Sequence, residues 1–316
     1  MREKTNYPSI LEINIFYMII AFLLISLGAK AQARELYTGL LITEYIIILL
    51  PSLLYLKLKG YYIKETLKLN SVDFKEIIIS ILLILFSYPV AVFFNYIGFV
   101  FLHYFGEIKP NPVPIPSNTR ELLTGFLIIA LSPGICEEIM FRGLVLNAYK
   151  SLGNKKAIIY SAILFGIFHF NAQNLLGPIY LGIILGIIYI KTNSIYPSII
   201  GHTTNNTIAL ALGTYFNLKG GNPDLNIEEI NMIGTGELFI ALFSLALVAL
   251  IFGILSYKLI KLLDNKNEDL DEIDDFISEE LIDKLDERNN LHILETLPLL
   301  VVLVVFIRLN YLFFFQ

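Results

Sequence analysis

Phe126-Leu-Ile-Ile-Ala-Leu-Ser-Pro-Gly-Ile-Cys136-Glu137-Glu138-Ile-Met-Phe-Arg142-Gly-Leu-Val-Leu-Asn147 decides the fold. The run is long and apolar enough to sit in a bilayer, yet two adjacent glutamates and an arginine lie at its centre. Ionisable side chains at that depth cost about 2.5–3.5 kcal/mol each even on lenient insertion scales. A chain that keeps them needs partners for them, and a use.

The rest of the 316 residues is built to match. Hydrophobic residues make up 56% and charged residues 16%, in long runs rather than at amphipathic spacing. This is the pattern of an all-α, polytopic transmembrane helical bundle. Candidate spans fall at 10–29, 38–56, 77–104, 121–149, 156–171, 175–190, 195–212, 237–262 and 293–314, giving eight to nine crossings. The two spans at 156–171 and 175–190 are short and suit helices inside the bundle. Three stretches divide the chain: N-terminal helices and an outer linker over 1–120, a membrane core over 121–212 and C-terminal helices over 213–316. The linker carries Pro110, Pro112, Pro114 and Pro116, and the last stretch contains an acidic cytoplasmic loop at 264–290.

Alternating spans from a cytoplasmic N-terminus place 16 Lys and Arg inside, among them Lys57, Lys59, Lys64, Lys68, Lys75, Lys150, Lys155, Lys156 and Lys191. Five remain outside: Lys30, Arg34, Lys109, Arg120 and Lys219. The excess predicts a multi-pass cell-membrane protein with its N-terminus cytoplasmic. The first span ends near Ala31-Gln-Ala33, which resembles a signal-peptidase site, but its apolar run is long for a signal and reads as an uncleaved anchor. The single cysteine, Cys136, excludes an intrachain disulfide and reads as a packing residue. No phosphate-cradling glycine loop, internal repeat or nucleic-acid signature is present.

Glu138 and Arg142 are four apart with the acid first, the favoured order for an ion pair along one helix face. Glu137 is rotated from Glu138 by about 100°, so Arg142 cannot serve both. Glu138 is thereby explained structurally, and Glu137 is left over as the catalytic candidate. Later spans bring Phe165-Gly-Ile-Phe-His169 and His202-Thr-Thr-Asn-Asn206, with His202 and Asn206 on one helix face. Counting from the helix ends at about 1.5 Å per residue puts these groups at overlapping depths. Asn205 turns away from the His202 face. Glu44 and Arg308 are further intramembrane charges without an assignable partner. A lone intramembrane His or Asn more often bridges helices than does chemistry; the convergence of acid, imidazoles and amide is what argues for a site.

Glu137-Glu138-x-x-x-Arg142, Phe165-x-x-x-His169 and His202-x-x-x-Asn206, in that order and each on an apolar segment, resemble the three motifs of the CPBP intramembrane proteases. That family includes the CAAX prenyl endopeptidases of the Rce type and the bacterial Abi proteins linked to bacteriocin self-immunity. The resemblance spans roughly residues 120–212. It implies a helical membrane fold with a cavity open to the cytoplasmic side and an intramembrane endopeptidase acting on a membrane-associated peptide or protein, in contact with membrane lipid. It also implies roles: Glu137 with His169 activates a water, His202 and Asn206 stabilise the oxyanion, and Glu138 with Arg142 support them.

A zinc ion held by Glu137, His169 and His202 is the alternative to unassisted glutamate-activated water. The absence of a His-Glu-x-x-His helix and the presence of Asn206, an unusual zinc ligand, favour a site that requires no metal. Two other functional classes stay open. One is a non-catalytic membrane scaffold or bacteriocin-immunity protein. The other is a proton-coupled transporter, disfavoured by the lack of a repeat.

Overall fold

The computed structural model describes residues 8–106, 115–219, 233–263 and 290–315. The proline-rich linker in part, and the acidic loop almost entirely, lie outside them. The longer described helices are α1 (Ile10–Arg34), α2 (Leu36–Lys59), α3 (Phe74–His103), α4 (Thr119–Leu152), α5 (Asn154–Ile167), α6 (Leu176–Thr192), α7 (Tyr196–Leu218), α8 (Thr235–Leu262) and α9 (Ile293–Phe315).

Helix starts and stops follow local chemistry. Ser9 caps α1 by accepting from the Glu12 N–H. Glu35 caps α2 by accepting from the Tyr37 and Thr38 N–H groups, which lets the chain reverse at once after Arg34. The α2 helix ends on Gly60 at φ 73°, a left-handed position open to glycine without penalty.

Neighbouring ends identify one basic face. Lys59 Nζ meets Glu12 Oε1 at 2.7 Å, the Tyr149 hydroxyl donates to Asn14 Oδ1 at 2.8 Å, and the Asn14 amide donates to the Glu295 carbonyl at 2.8 Å. The Asn70 amide likewise reaches the Asn193 carbonyl at 2.7 Å. The starts of α1, α3 and α9 and the ends of α2, α4 and α6 therefore gather at the same end. Lys59, Lys68, Lys150 and Lys191 lie there, as the alternation of spans predicts.

Seven helices among the described residues are long and apolar enough to cross a bilayer, rather than eight to nine. The α5 helix has 14 residues, about 21 Å at 1.5 Å per residue, short of the roughly 30 Å hydrocarbon core. The α7 helix is long enough but too polar, because His202, Thr203, Thr204, Asn205, Asn206 and Thr207 occupy its middle. The expected span 156–171 also ends earlier than its apolar run does: the helix stops at Ile167, and His169 sits on a turn beyond it.

That half-buried turn leaves backbone polar groups beyond the end of α5 without helical partners. Two asparagines from flanking helices satisfy them. Asn310 of α9 accepts from the Ala172 N–H at 2.7 Å and donates to the Phe170 carbonyl at 3.3 Å. Asn95 of α3 accepts from the Gly177 N–H at 2.7 Å and donates to Asn174 Oδ1 at 2.7 Å. A Cβ at Gly177 would collide with the Asn95 amide, so only glycine admits this closure.

The core between these helices is aromatic. Phe141 meets Phe165 and Phe168 edge-to-face at 5.0 and 5.1 Å, and Tyr17 at 6.3 Å, arrangements that add to simple burial. The α8 helix instead turns Phe239, Ile240, Phe243, Leu250 and Ile251 outward, an apolar face that suits lipid contact.

Candidate active site

The α4 helix carries the carboxylates on a regular segment, Ser132–Glu138, between two stretches of widened i→i+5 turns, Phe126–Leu131 and Ile139–Leu146. Such turns concentrate at functional sites because they re-aim side chains. Gly134 sets the spacing to α7: a Cβ there would run into the Thr203 side chain and backbone. The glycine thus lets α4 and α7 approach closely enough for His202 to reach the glutamates.

Arg142 Nε lies 3.1 Å from Glu138 Oε2, and both side chains are fully buried. The contact is an ion pair without hydrogen-bond alignment, and the three Arg142 nitrogens have no hydrogen-bond partner among the described residues. The guanidinium instead lies over the Phe165 ring at 5.2 Å, a cation–π contact. Glu138 has a second commitment: His202 Nδ1 donates to its Oε1 at 3.0 Å. The other ring nitrogen, His202 Nε2, comes to 4.0 Å from Glu137 Oε2. His202 therefore bridges the two glutamates.

Glu137 differs from Glu138. It is 9% exposed where Glu138 is fully buried, and its Oε2 has no hydrogen-bond partner among the described residues. His169 Nδ1 lies 2.9 Å from the Phe165 carbonyl. A carbonyl only accepts, so Nδ1 carries the proton, and in the neutral ring Nε2 is left as an acceptor. His169 packs on the Phe165 ring edge-to-face at 5.1 Å. Asn206 sits one turn beyond His202, donating to the Ile129 carbonyl at 3.3 Å and accepting from Asn205 at 3.1 Å.

Glu137, Glu138, Arg142 and His202 are thus in direct contact or nearly so. His169 joins them through Phe165, and Asn206 lies alongside on α7. Asn205 is not idle: it holds the amide of Asn206.

Sequence reasoning missed the roles of two residues. Phe165 touches Arg142, His169 and His202, whose ring stands 5.5 Å away; the sequence placed it in the Phe165-x-x-x-His169 motif but assigned it no role. Its place four residues before His169 was the available signal. Glu44 of α2 is buried and within electrostatic reach of Glu137. Nothing in local spacing links it to α4. Phe165→Ala should cost about 3–5 kcal/mol of stability and release both histidines, whereas Phe165→Leu should keep more of the fold than of the activity. Thermal melts with turnover would check this; full turnover in the folded alanine variant would remove Phe165 from the site.

A groove of ≈ 350 Å³ runs between α4 and α7, lined by Phe126, Leu131, Ile199, Thr203, Thr207 and Ile208 among others. It is apolar apart from threonine hydroxyls. The donors do not assemble into a metal centre: among the described residues no three His, Cys, Asp or Glu groups are disposed to hold an ion. Zinc does not fit Glu137, His169 and His202 as arranged, and no step below is routed through a metal.

Compared with known protein families, residues 119–208 match the model described as type II CAAX prenyl endopeptidase Rce1-like. The segment begins with α4 and ends within α7, so it contains all three motifs. Over that segment the chain is similar to the CAAX protease family. No curated protein and no solved structure matches the chain.

Proposed function

We propose that this protein is an intramembrane endopeptidase in which Glu137 activates a water molecule against a peptide bond of a membrane-associated substrate. The observation that carries the reading is the division between the two glutamates. Glu138 is fully buried and in contact with both Arg142 and His202 at 3.0–3.1 Å, while Glu137, 9% exposed, has no contact with Arg142 and faces His202 only at 4.0 Å.

In this mechanism Glu137 takes a proton from the water as its oxygen attacks the substrate carbonyl carbon. His169 helps hold that water through its Nε2 acceptor. His202 in its imidazolium form, with Nδ1–H anchored on Glu138, donates from Nε2 to the developing oxyanion, and Asn206 adds an amide donor. Such donors gain strength where water is excluded. As the tetrahedral adduct collapses, the C–N bond breaks and Glu137 returns the proton to the leaving amine. The products are a carboxylic acid and an amine, which become a carboxylate and an ammonium once the acid's proton passes to the amine. The groove between α4 and α7 offers an apolar path beside the site for a membrane-embedded peptide. The basic end, by the positive-inside rule, is the cytoplasmic one.

The test is cleavage of a membrane peptide by purified protein in proteoliposomes, with and without chelator. Turnover unaffected by chelator is the expected outcome. Peptide binding without cleavage would favour the scaffold or immunity reading, and loss of turnover on chelation would restore zinc. An impermeant thiol reagent applied to Lys155→Cys in sealed vesicles of known orientation checks the assignment of sides.

A further inference from the structure

Away from the glutamates, two amines converge at the basic end. Lys68 lies in the connection between α2 and α3 and is only 6% exposed. Its Nζ sits over the Tyr189 ring at 5.2 Å, and Lys150 Nζ from the end of α4 sits over the same ring at 5.8 Å. The two amines thus share one ring, and among the described residues no carboxylate lies within ion-pair distance of Lys68. Below them, Asn147 donates to the Tyr189 hydroxyl at 2.8 Å and to the Thr66 carbonyl at 2.7 Å, fixing the floor.

The backbone adds an independent argument. Lys68 has φ 50°, in the left-handed region that favours glycine. The position is held by the Ile195 N–H donating to the Lys68 carbonyl at 3.2 Å. A lysine here accepts both backbone strain and burial beside a second lysine, and glycine would avoid all of it. Strained positions of this kind are kept where the surroundings over-determine them, and they cluster at ligand clamps.

We propose that Lys68 and Lys150, floored by Tyr189, form a binding site for a phosphate group at the basic end of the bundle. Two clustered ammonium groups between helices at that level suit the headgroup of an anionic lipid, and free phosphate offers the same chemistry. Burial, and then the charge of Lys150, bring Lys68 down to about 6. A bound anion lets both be charged.

The sign of the pH effect follows. An unfolded lysine stays protonated to about pH 10.4, so between about 6 and that value the folded chain carries the cost of releasing this proton, and the cost is largest at the acid end. The titratable groups against Lys68 are Lys150 from α4 and Tyr189 from α6.

Melting of the full chain in nanodiscs tests the site. In phosphatidylcholine, Lys68→Met should melt higher than wild type near pH 7, with the gap shrinking towards pH 10. Adding phosphatidylglycerol should raise wild type by about 3 °C or more. Lys68→Arg should keep the rise, Lys68→Met and Lys150→Met should lose it, and the exposed control Lys64→Met should retain it. Inorganic phosphate in phosphatidylcholine discs forms the second arm. A rise with it identifies free phosphate as a ligand of the same two amines, and a rise with the lipid alone identifies the headgroup. No rise in either arm, or an equal loss in Lys64→Met, would overturn the site.

Discussion

Glu137→Gln should lower the peptidase rate by about 10²–10⁴-fold, the range supplied by a positioned general base, while leaving the melting temperature close to wild type. The amide is nearly the same size and cannot take the proton of the attacking water. Little stability should change because Glu137 Oε2 has no hydrogen-bond partner among the described residues and Arg142 is held by Glu138. Turnover retained in the pure variant would end the general-base assignment. A large drop in melting temperature would instead make Glu137 a structural residue.

Glu138→Gln should behave in the opposite way. It strands Arg142, whose side chain is wholly buried, and breaking a buried pair on one side costs about 3–5 kcal/mol. The loss of a carboxylate at His202 Nδ1 should lower activity as well. Combining Glu138→Gln with Arg142→Met removes the stranded charge, so stability should partly return while activity does not. The measurement is a melt of wild type, single and double variants in the same lipid. A single variant as stable as wild type would show that the ion pair holds nothing together.

The contrast between the two glutamates was legible in the sequence because helix spacing alone decides it: an acid four residues before an arginine is paired, and its neighbour is not. The positions of His202 and Asn206 on one face of α7 were legible for the same reason. Where the chain crosses was harder to read. Hydropathy runs smoothly across Ile163–Phe168, so composition gives no sign that α5 stops at Ile167. The polar middle of α7 was read as a span because its flanks are apolar. Phe165 and Glu44 depend on which helices pack together, a long-range property that local periodicity does not encode. The bridge His202 makes between the carboxylates, rather than His169, also needed the close approach at Gly134.

The asparagines that close the turn after α5 bear on how this chemistry can be moved between proteins. Asn95 and Asn310 lie outside residues 119–208, on helices that precede and follow the recognisable stretch. A graft of that stretch onto foreign flanks would bring both glutamates and both histidines, yet leave the Ala172 N–H and the Phe170 carbonyl without the side chain that holds them. The portable unit is therefore larger than the recognisable one, and two asparagines mark how far its borders reach.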